Sequence, residues 1–271
     1  MSVSFDGITL GILLFRWSGL LVALGAALGA LLVLSEAHRR RADLEIVSSL
    51  FLPTIVFSVA GARLWHIFTP PLSSLQLGLS AAHYLRHPLD ALALWVGGYG
   101  IPGAWLGGVL ALLWVSRQTK TSFWELADWL APGAALAQAV GRWGDYFSHQ
   151  LYGSPSNAAW RVFIPLEYRL QGFESAEYYH PLFAYESILD FILLIFLLWL
   201  ARRAQTPGKV FLTYLAFYSA ARFALEFLRV DVSLAGGVNV NQIFFAAAFT
   251  LSAALFFGKN ILRRAIPLWR E

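Results

Sequence analysis

The sequence contains no cysteine, and charged residues make up only 13% of its 271 positions. The absence of cysteine excludes disulfides, thiolate metal sites, palmitoylation and a cysteine nucleophile supplied by this chain. Soluble domains carry about 25% charged residues, so the low charge content argues against an ordinary soluble protein. A chain this apolar is not disordered either, because disorder requires low hydrophobicity and high net charge.

Apolar and aromatic residues make up 58% of the sequence, enough for about six to eight spans of the ~20 residues that a bilayer requires. Seven long apolar runs cover residues 11–35, 46–68, 91–116, 123–147, 182–201, 210–230 and 241–258. We therefore expect an all-α integral membrane protein with about seven transmembrane helices, forming one polytopic domain over residues 1–271. The first run is not a cleavable signal peptide, because no basic segment precedes it and three arginines follow it.

Basic residues cluster after the first, third, fifth and seventh runs, and this distribution predicts the orientation. The clusters consist of Arg39, Arg40, Arg41, Arg117, Lys120, Arg202, Arg203, Lys209, Lys259, Arg263, Arg264 and Arg270. Because cytoplasmic loops are enriched in Lys and Arg, the N-terminus is expected outside and the C-terminus in the cytoplasm. Residues 69–90 then form an outer interfacial segment. Residues 148–180, between spans four and five, form an extracytoplasmic loop or a small cap of strands and turns.

Four arginines lie within or beside the predicted spans, and the orientation places all of them in the outer half of the membrane. They are Arg16, Arg63, Arg142 and Arg222. An arginine at this depth costs at least a few kcal/mol unless it is paired or reaches water, so each is a functional candidate. There are simpler explanations: Arg16 and Arg63 could extend to the membrane interface, and Arg222 with Glu226 could be a structural ion pair.

Further polar residues fall in the same outer half. Arg222, Glu226 and Arg229 share one helical face, and Asp145 follows Arg142 by three residues. His180, Tyr185 and Glu186 begin the fifth run. The apparent excess of positive charge predicts a site for an anion from the outer leaflet, and the planar guanidinium of arginine suits a phosphate.

Glycines crowd the outer half of the third run, at positions 97, 98, 100, 103, 107 and 108. Two interpretations are open. Small residues allow close helix packing in membranes. Alternatively, Gly97 and Gly98 belong to a bent or broken helix whose backbone lines a cavity, which membrane proteins tolerate where the backbone is covered by protein or water.

An ordered set of motifs resembles the bacterial prolipoprotein diacylglyceryl transferase family. Residues 141–153 read GRWGDYFSHQLYG, similar to the family signature G-R-x-G-N-F-x-N-x-E-x-[YW]-G. Supporting stretches are GARL at 61–64, WVGGYGI at 95–101, DWLAP at 128–132, HPLFAYES at 180–187 and the stretch from Tyr218 to Asp231. Together they cover most of residues 60–231 in the family's order and spacing.

The resemblance implies a seven-helix enzyme of the bacterial cytoplasmic membrane whose site opens to the outer leaflet. It would transfer the diacylglyceryl group of phosphatidylglycerol to the lipobox cysteine of preprolipoprotein signal peptides, releasing glycerol 1-phosphate. By the family pattern, Arg142 and Arg222 would be the main phosphate-side residues, with Glu226 and Asp145 beside them. The remaining substrate-binding candidates are Arg63, Arg229, Gly97, Gly98, Gly153, His180, Tyr185 and Glu186.

The sequence departs from the family pattern at several positions and leaves the general base unassigned. Asp145 and Ser148 stand where the signature has Asn, Gln150 where it has Glu, and Ser18 where a Tyr is common. Pro102 occupies a position where many members have a histidine. His66 and His149 are alternative bases, although an interfacial hydrogen-bonding role is the simpler interpretation of each. Glu186 is expected to hold an arginine in place, and His180 to orient the start of the fifth span.

Two other functions fit parts of the sequence. One is a divergent homologue that binds an anionic lipid or lipopeptide without this chemistry, or performs a related lipid transfer. The other is a small transporter, which would need polar groups continuing into the inner half, where Asp128 and Asp190 are the main candidates. No motif indicates a cofactor, a metal site or nucleic-acid binding.

Overall fold

The computed structural model describes residues 2–5, 7–10, 13–204 and 206–265, and this part of the chain is mainly helical. Arg270 of the last basic cluster lies outside the described residues. The first part contains β1 (Ser2–Val3), β2 (Gly7–Leu10), β3 (Leu13–Arg16), α1 (Trp17–Arg39), α2 (Leu44–Ser49), α3 (Phe51–Phe68), α4 (Leu72–Gln76), α5 (Ala81–Arg86), α6 (Pro88–Leu92), α7 (Ile101–Thr119), α8 (Phe123–Gly141) and α9 (Trp143–Phe147). The second part contains β4 (Val162–Phe163), β5 (Tyr178–Tyr179), α10 (Leu182–Ala201), α11 (Lys209–Leu225), β6 (Leu234–Ala235), β7 (Val238–Asn239) and α12 (Val240–Ala265).

Four helical segments of the described chain are long and apolar enough to cross a membrane. They are Trp17–Arg39, Leu44–Phe68, Leu182–Ala201 and Val240–Gly258. Three more helices, α7, α8 and α11, coincide with predicted spans but are shorter or less apolar. At 17 residues, α11 is about 26 Å long, somewhat less than the ~30 Å of a typical hydrocarbon core. Many large apolar side chains on these helices are exposed, which is typical of a surface that faces lipid.

Helix pairs approach closely where small residues face each other. A side chain on Gly29 of α1 would lie 2.5 Å from the Gly133 carbonyl oxygen of α8, and one on Gly103 would lie 2.5 Å from Trp65 Cβ of α3. The glycines within α7 therefore serve close packing against α3, the first of the two interpretations for that run. A buried apolar cluster from α8, α10, α11 and α12, including Leu193, forms the main core.

Helix ends are positioned by side chains that satisfy free backbone N–H groups. Asp43 accepts a hydrogen bond from the Glu45 N–H at the start of α2. Asp128 of α8 accepts from the Gly208 and Phe211 N–H groups, both at 2.7 Å, where α11 begins. Asp128 is thus engaged in fixing α11 against α8, which gives it a structural role instead of the transport role considered above.

The expectation of an all-α chain is incomplete, because three small antiparallel sheets are present. Strands β1, β2 and β3 form one sheet, so the first helix begins at Trp17 and not at residue 11. The pair β4–β5 lies in the 148–180 segment, which packs around a small core including Tyr152, Ile164 and Tyr179. The Tyr152 hydroxyl accepts from the Leu170 N–H and donates to the Tyr168 carbonyl, and burial raises the pKa of this phenol.

The outer interfacial segment predicted at 69–90 contains two short helices, α4 and α5, and the start of α6. The Ser73 N–H and hydroxyl both donate to the Asp231 carboxylate at 2.8 Å. The Leu72 N–H donates to the Val232 carbonyl. These bonds hold the segment against the chain that follows α11.

Candidate functional site

A continuous chain of ion pairs links α8–α9, α10 and the end of α11. Three arginines alternate in it with three carboxylates, in the order Asp145, Arg142, Glu186, Arg222, Glu226 and Arg229. Arg142 Nη1 lies 3.3 Å from Asp145 Oδ2, and Arg222 Nη2 lies 3.1 Å from Glu226 Oε2. The six residues come from all three stretches that sequence reasoning placed in the outer half of the membrane.

Glu186 is the centre of this chain. Its Oε2 contacts Arg142 Nε and its Oε1 contacts Arg222 Nη1. The carboxylate therefore bridges two helices, and it holds two arginines where the sequence led us to expect one. The expected excess of positive charge is not found among these six residues, because three arginines face three carboxylates. A buried charge needs a partner at such a site, which explains why the cluster is neutral as a whole.

The cluster is most buried at its centre and more open at its ends. The side chains of Arg222, Glu186 and Glu226 are 3%, 2% and 0% exposed. At the ends, the side chains of Arg142, Asp145 and Arg229 are 14%, 25% and 20% exposed. Arg142 and Arg229 are therefore the more accessible arginines, and Arg222 is buried between their carboxylate partners.

Besides Arg142 Nε, which contacts Glu186 Oε2, two buried arginine nitrogens of the cluster have no hydrogen-bond partner among the described residues: Nε of Arg222 and Nε of Arg229. A buried unpaired donor costs about 1–3 kcal/mol, more when charged, so such atoms commonly mark a place where a ligand or water binds. Both donors carry positive charge, and the matching ligand is an anion with oxygen acceptors.

Two residues outside our candidate list hold the cluster in place. The Tyr218 hydroxyl accepts a hydrogen bond from Arg142 Nη2 at 3.2 Å and lies one turn before Arg222 on α11. Asn239 Nδ2 donates to Glu226 Oε1 at 3.3 Å, while its Oδ1 accepts from the Gln242 N–H at the start of α12. The i−4 spacing to Arg222 was a usable signal for Tyr218. Nothing in the sequence indicated that Asn239 reaches Glu226.

Arg63 belongs to a second group, in which its buried side chain is bound by backbone carbonyl groups. Its guanidinium donates to the carbonyl oxygens of Asp90 at 2.6 Å and Ala91 at 2.9 Å, and also to those of Gly97 and Gly98. Gly97 and Gly98 precede α7 in irregular backbone with φ of +91° and +79°. The irregular backbone of the second interpretation is present here, since α7 begins only at Ile101, and the Arg63 side chain covers these carbonyl groups.

Three more candidates, Gly153, His180 and Tyr185, lie in or directly after the 148–180 segment. The Gly153 N–H donates to the His180 carbonyl, and Gly153 pairs with Arg229 in an isolated β-bridge. His180 Nδ1 and the Tyr185 hydroxyl lie 3.0 Å apart, and the Trp160 indole N–H donates to the same hydroxyl at 2.7 Å. A side chain on Gly153 would lie 2.9 Å from the Leu228 carbonyl oxygen, so glycine permits this close approach. These contacts join the segment to the Arg229 end of the cluster.

The remaining candidates are distributed around these groups. His66 Nε2 lies 3.3 Å from the Tyr84 hydroxyl, and His149 stacks on Phe5. Pro102 is buried in the first turn of α7, and Arg16 is exposed at the end of β3. Asp190 is buried one turn beyond Glu186, and its Oδ2 has no hydrogen-bond partner among the described residues.

Comparison with known proteins identifies the family of this chain. The family model described as "Prolipoprotein diacylglyceryl transferase" matches residues 7–258. A protein of Trichormus variabilis named phosphatidylglycerol–prolipoprotein diacylglyceryl transferase is 34% identical over 266 residues, 96% of this chain and 91% of the relative. Proteins of the same name from Thermosynechococcus vestitus and Parasynechococcus marenigrum are 32% and 35% identical, covering 96% and 89% of this chain and 94% and 88% of their own lengths. The chain is therefore a membrane protein that belongs to the prolipoprotein diacylglyceryl transferase family.

Proposed function

We propose that this protein is a transferase that moves the diacylglyceryl group of phosphatidylglycerol to the lipobox cysteine of a preprolipoprotein. The relatives' names supply the two substrates. The observation on this chain that carries the proposal is the buried cluster in which Arg142, Arg222 and Arg229 meet, with unpartnered Nε donors on the last two. A phosphodiester with its negative charge on oxygen is the kind of group that such donors bind.

In the proposed reaction, the cysteine sulfur attacks the glyceryl carbon that carries the phosphate. The C–S bond forms as the C–O bond breaks, and glycerol 1-phosphate leaves with the bonding electrons. The thiol proton passes to solvent or to the released phosphate. A thiol with a pKa of about 8.5 needs only modest assistance to ionise.

The arginines act on the leaving group. Negative charge builds up on the phosphate as the C–O bond breaks, and fixed donors at that position stabilise it without reorganising. Glu186 preorganises Arg142 and Arg222 by contacting both, and Glu226 does the same for Arg222 and Arg229. Arginine has five N–H donors, so these guanidinium groups keep donors for a phosphate while they are held by carboxylates.

We further propose seven spans, formed by α1, α2–α3, α7, α8, α10, α11 and α12, in the bacterial cytoplasmic membrane with the N-terminus outside. Two contacts support a common cytoplasmic end. Arg40 Nη2, after α1, lies 3.4 Å from the Ala201 carbonyl at the end of α10, and Asp128 near the start of α8 binds the start of α11. The 69–90 and 148–180 segments would then lie outside, where the lipid headgroup and the signal peptide meet.

The test is direct lipidation. The purified full-length protein is incubated with phosphatidylglycerol vesicles and a lipobox peptide, and mass spectrometry measures the diacylglyceryl addition. We expect addition to the cysteine-containing peptide and none to the matched serine peptide. Complementation of a conditional transferase depletion provides the cellular readout. No transfer by properly inserted protein with phosphatidylglycerol present would refute the proposal.

A further inference from the structure

The three carboxylates of the ion-pair cluster are not equivalent. Glu186 and Glu226 each contact two arginines, and their side chains are only 2% and 0% exposed. Asp145 contacts Arg142 alone, through Oδ2, and its side chain is 25% exposed. Its second oxygen, Oδ1, makes no hydrogen bond or ion pair to any residue that the structure describes. Asp145 is therefore the carboxylate of the cluster that a substrate group can reach.

The position of Asp145 is fixed by backbone hydrogen bonds and by close packing. In α9 its N–H donates to the Arg142 carbonyl at 3.1 Å, and its own carbonyl accepts from the Gln150 N–H at 2.8 Å. The preceding Gly144 lies so close to α1 that a side chain there would stand 2.9 Å from the Ser18 carbonyl oxygen. The carboxyl group is thus held beside the Arg142 guanidinium, and proton transfer in a transition state requires such a fixed position.

The charged groups that face Asp145 belong to the cluster itself. They are Arg142 at the end of α8, Arg222, Glu226 and Arg229 at the end of α11, and Glu186 of α10. From α1, which packs against α9, Trp17 and Ser18 lie beside it, and both are uncharged. In α9, which follows the α8 span, burial raises the pKa of the Asp145 carboxyl, and the arginines oppose this shift. A carboxylate with a raised pKa is a stronger base, which favours proton transfer near neutral pH.

We infer that Asp145 takes the proton of the lipobox thiol during its attack on the lipid. The inference rests on the proposed function and names the proton acceptor for it. With the phosphate against Arg142, the sulfur has to come within about 3.5 Å of the adjoining glyceryl carbon, next to the accessible carboxylate of that arginine. The S–H proton moves to Asp145 Oδ1 as the C–S bond forms and the C–O bond breaks, and the bonding electrons leave with the phosphate. The proton then passes from Asp145 to water or to the released phosphomonoester.

This transfer keeps the total charge of the site constant during the reaction. The lipid phosphodiester carries one negative charge, whereas a phosphomonoester carries about two. Protonation removes one negative charge from Asp145 while one is added to the phosphate. It also weakens the ion pair between Asp145 and Arg142, so that Arg142 Nη1 becomes free to donate to the leaving phosphate. Such a donor stabilises the transition state more than the bound substrate, and this difference is what accelerates the reaction.

The test is the pH dependence of transfer by Asp145→Asn, which keeps the size of the side chain and removes the base. Only a few per cent of a thiol is ionised at pH 7, so without a base we expect kcat to be about thirtyfold lower at that pH. The variant should approach the wild type above about pH 9, where the thiol ionises by itself. The wild-type kcat should decrease toward acidic pH as Asp145 becomes protonated. Glu167→Gln removes an exposed carboxylate of the 148–180 segment and should follow the wild type at every pH.

A second peptide separates proton transfer from structural support. A lipobox peptide with selenocysteine in place of cysteine carries a selenol, which is already ionised at pH 7 and needs no base. We expect the wild type and Asp145→Asn to transfer to this peptide at similar rates, which also shows that the variant is folded. An equal loss with both peptides, or the same loss at pH 7 and pH 9, would mean that Asp145 only supports the structure and would overturn the inference.

His180 provides the competing assignment, because its imidazole is the other candidate proton acceptor at the Arg229 end of the cluster. If His180→Gln showed the loss at pH 7 with recovery at pH 9, and Asp145→Asn matched the wild type, the proton would go to His180 and the inference would be overturned. No transfer to either peptide by the wild type would reject the proposed reaction itself. Wild-type transfer together with a pH-independent defect in Asp145→Asn rejects the proton acceptor alone.

Discussion

Replacing Arg222 by lysine tests whether the central arginine acts through its two-armed geometry or only through its charge. Arg222 contacts Glu186 through Nη1 and Glu226 through Nη2, and all three side chains are almost fully buried. Lysine keeps the positive charge but has one ammonium group on a flexible stem. It can contact one of the two carboxylates closely, and the other then loses its contact with residue 222 and keeps only its outer partner, Arg142 or Arg229.

The expected size of the effect follows from that lost contact. A hydrogen bond to a charged group contributes about 1.5–3 kcal/mol, and about 2.7 kcal/mol corresponds to a hundredfold change in rate. Arg222→Lys should therefore lower kcat for lipid transfer about a hundredfold and also lower the thermal unfolding temperature in detergent. Arg203→Lys is the control. Arg203 is exposed and stacks on Trp199 near the C-terminal end of α10, whereas Glu186 lies near the N-terminal end of that helix.

The assay is steady-state transfer to a fluorescent lipobox peptide in vesicles of defined phosphatidylglycerol content, with kcat and KM reported separately. The control variant should match the wild type in both parameters. If Arg222→Lys retained the wild-type kcat, charge alone would be sufficient, and the argument from the bridging geometry would be wrong.

Three further substitutions test the ion-pair cluster, its support and the group around Arg63. Asn239→Ala removes the hydrogen bond to Glu226 and the side-chain cap of α12. It should lower the free energy of unfolding by about 1–2 kcal/mol, measured by thermal unfolding, and lower kcat, measured in the transfer assay. Asp145→Asn removes a carboxylate from the partly exposed end of the cluster. It should lower KM for phosphatidylglycerol by less than about fivefold, because an ion pair at such a position contributes about 1 kcal/mol or less. An increased KM would contradict this prediction. Gly98→Ala puts a methyl group 2.6 Å from His66 Nε2 at a φ of +79° and should lower the unfolding temperature more than Gly172→Ala, where φ is also positive but no atom lies within 4 Å.

The helices were predictable where an apolar run is continuous and its conformation depends only on residues near in sequence. Residues 182–201 form α10 with the bounds that the sequence indicated, because a long apolar run without glycine or proline favours helix throughout. The third run was predicted as a helix from residue 91, but α7 begins only at Ile101. In the stretch before it, Arg63 binds the carbonyl groups of Ala91, Gly97 and Gly98. That contact joins residues about 30 positions apart, and hydrophobic periodicity carries no information about it.

In the site, too, contacts between residues close in sequence were predictable and contacts between different helices were not. The pairs Arg142–Asp145 and Arg222–Glu226 follow from helical spacing, and both are present. The bridging position of Glu186 between two other helices depends on how α8, α10 and α11 pack, and the bond from Asn239 depends on the turn between β6 and β7. Neither is encoded in local spacing, so sequence alone identified the members of the cluster but not its alternating order.

The most direct test of the central claim is the transfer rate of Arg142→Ala, measured beside Arg86→Ala in the same vesicles. Arg142 is the partly exposed arginine through which the phosphate would reach the cluster, whereas Arg86 is exposed on α5 outside it. We expect Arg142→Ala to insert normally and to lose lipid transfer, and Arg86→Ala to transfer at the wild-type rate. Wild-type transfer by Arg142→Ala would contradict the assignment of the ion-pair cluster as the phosphate site.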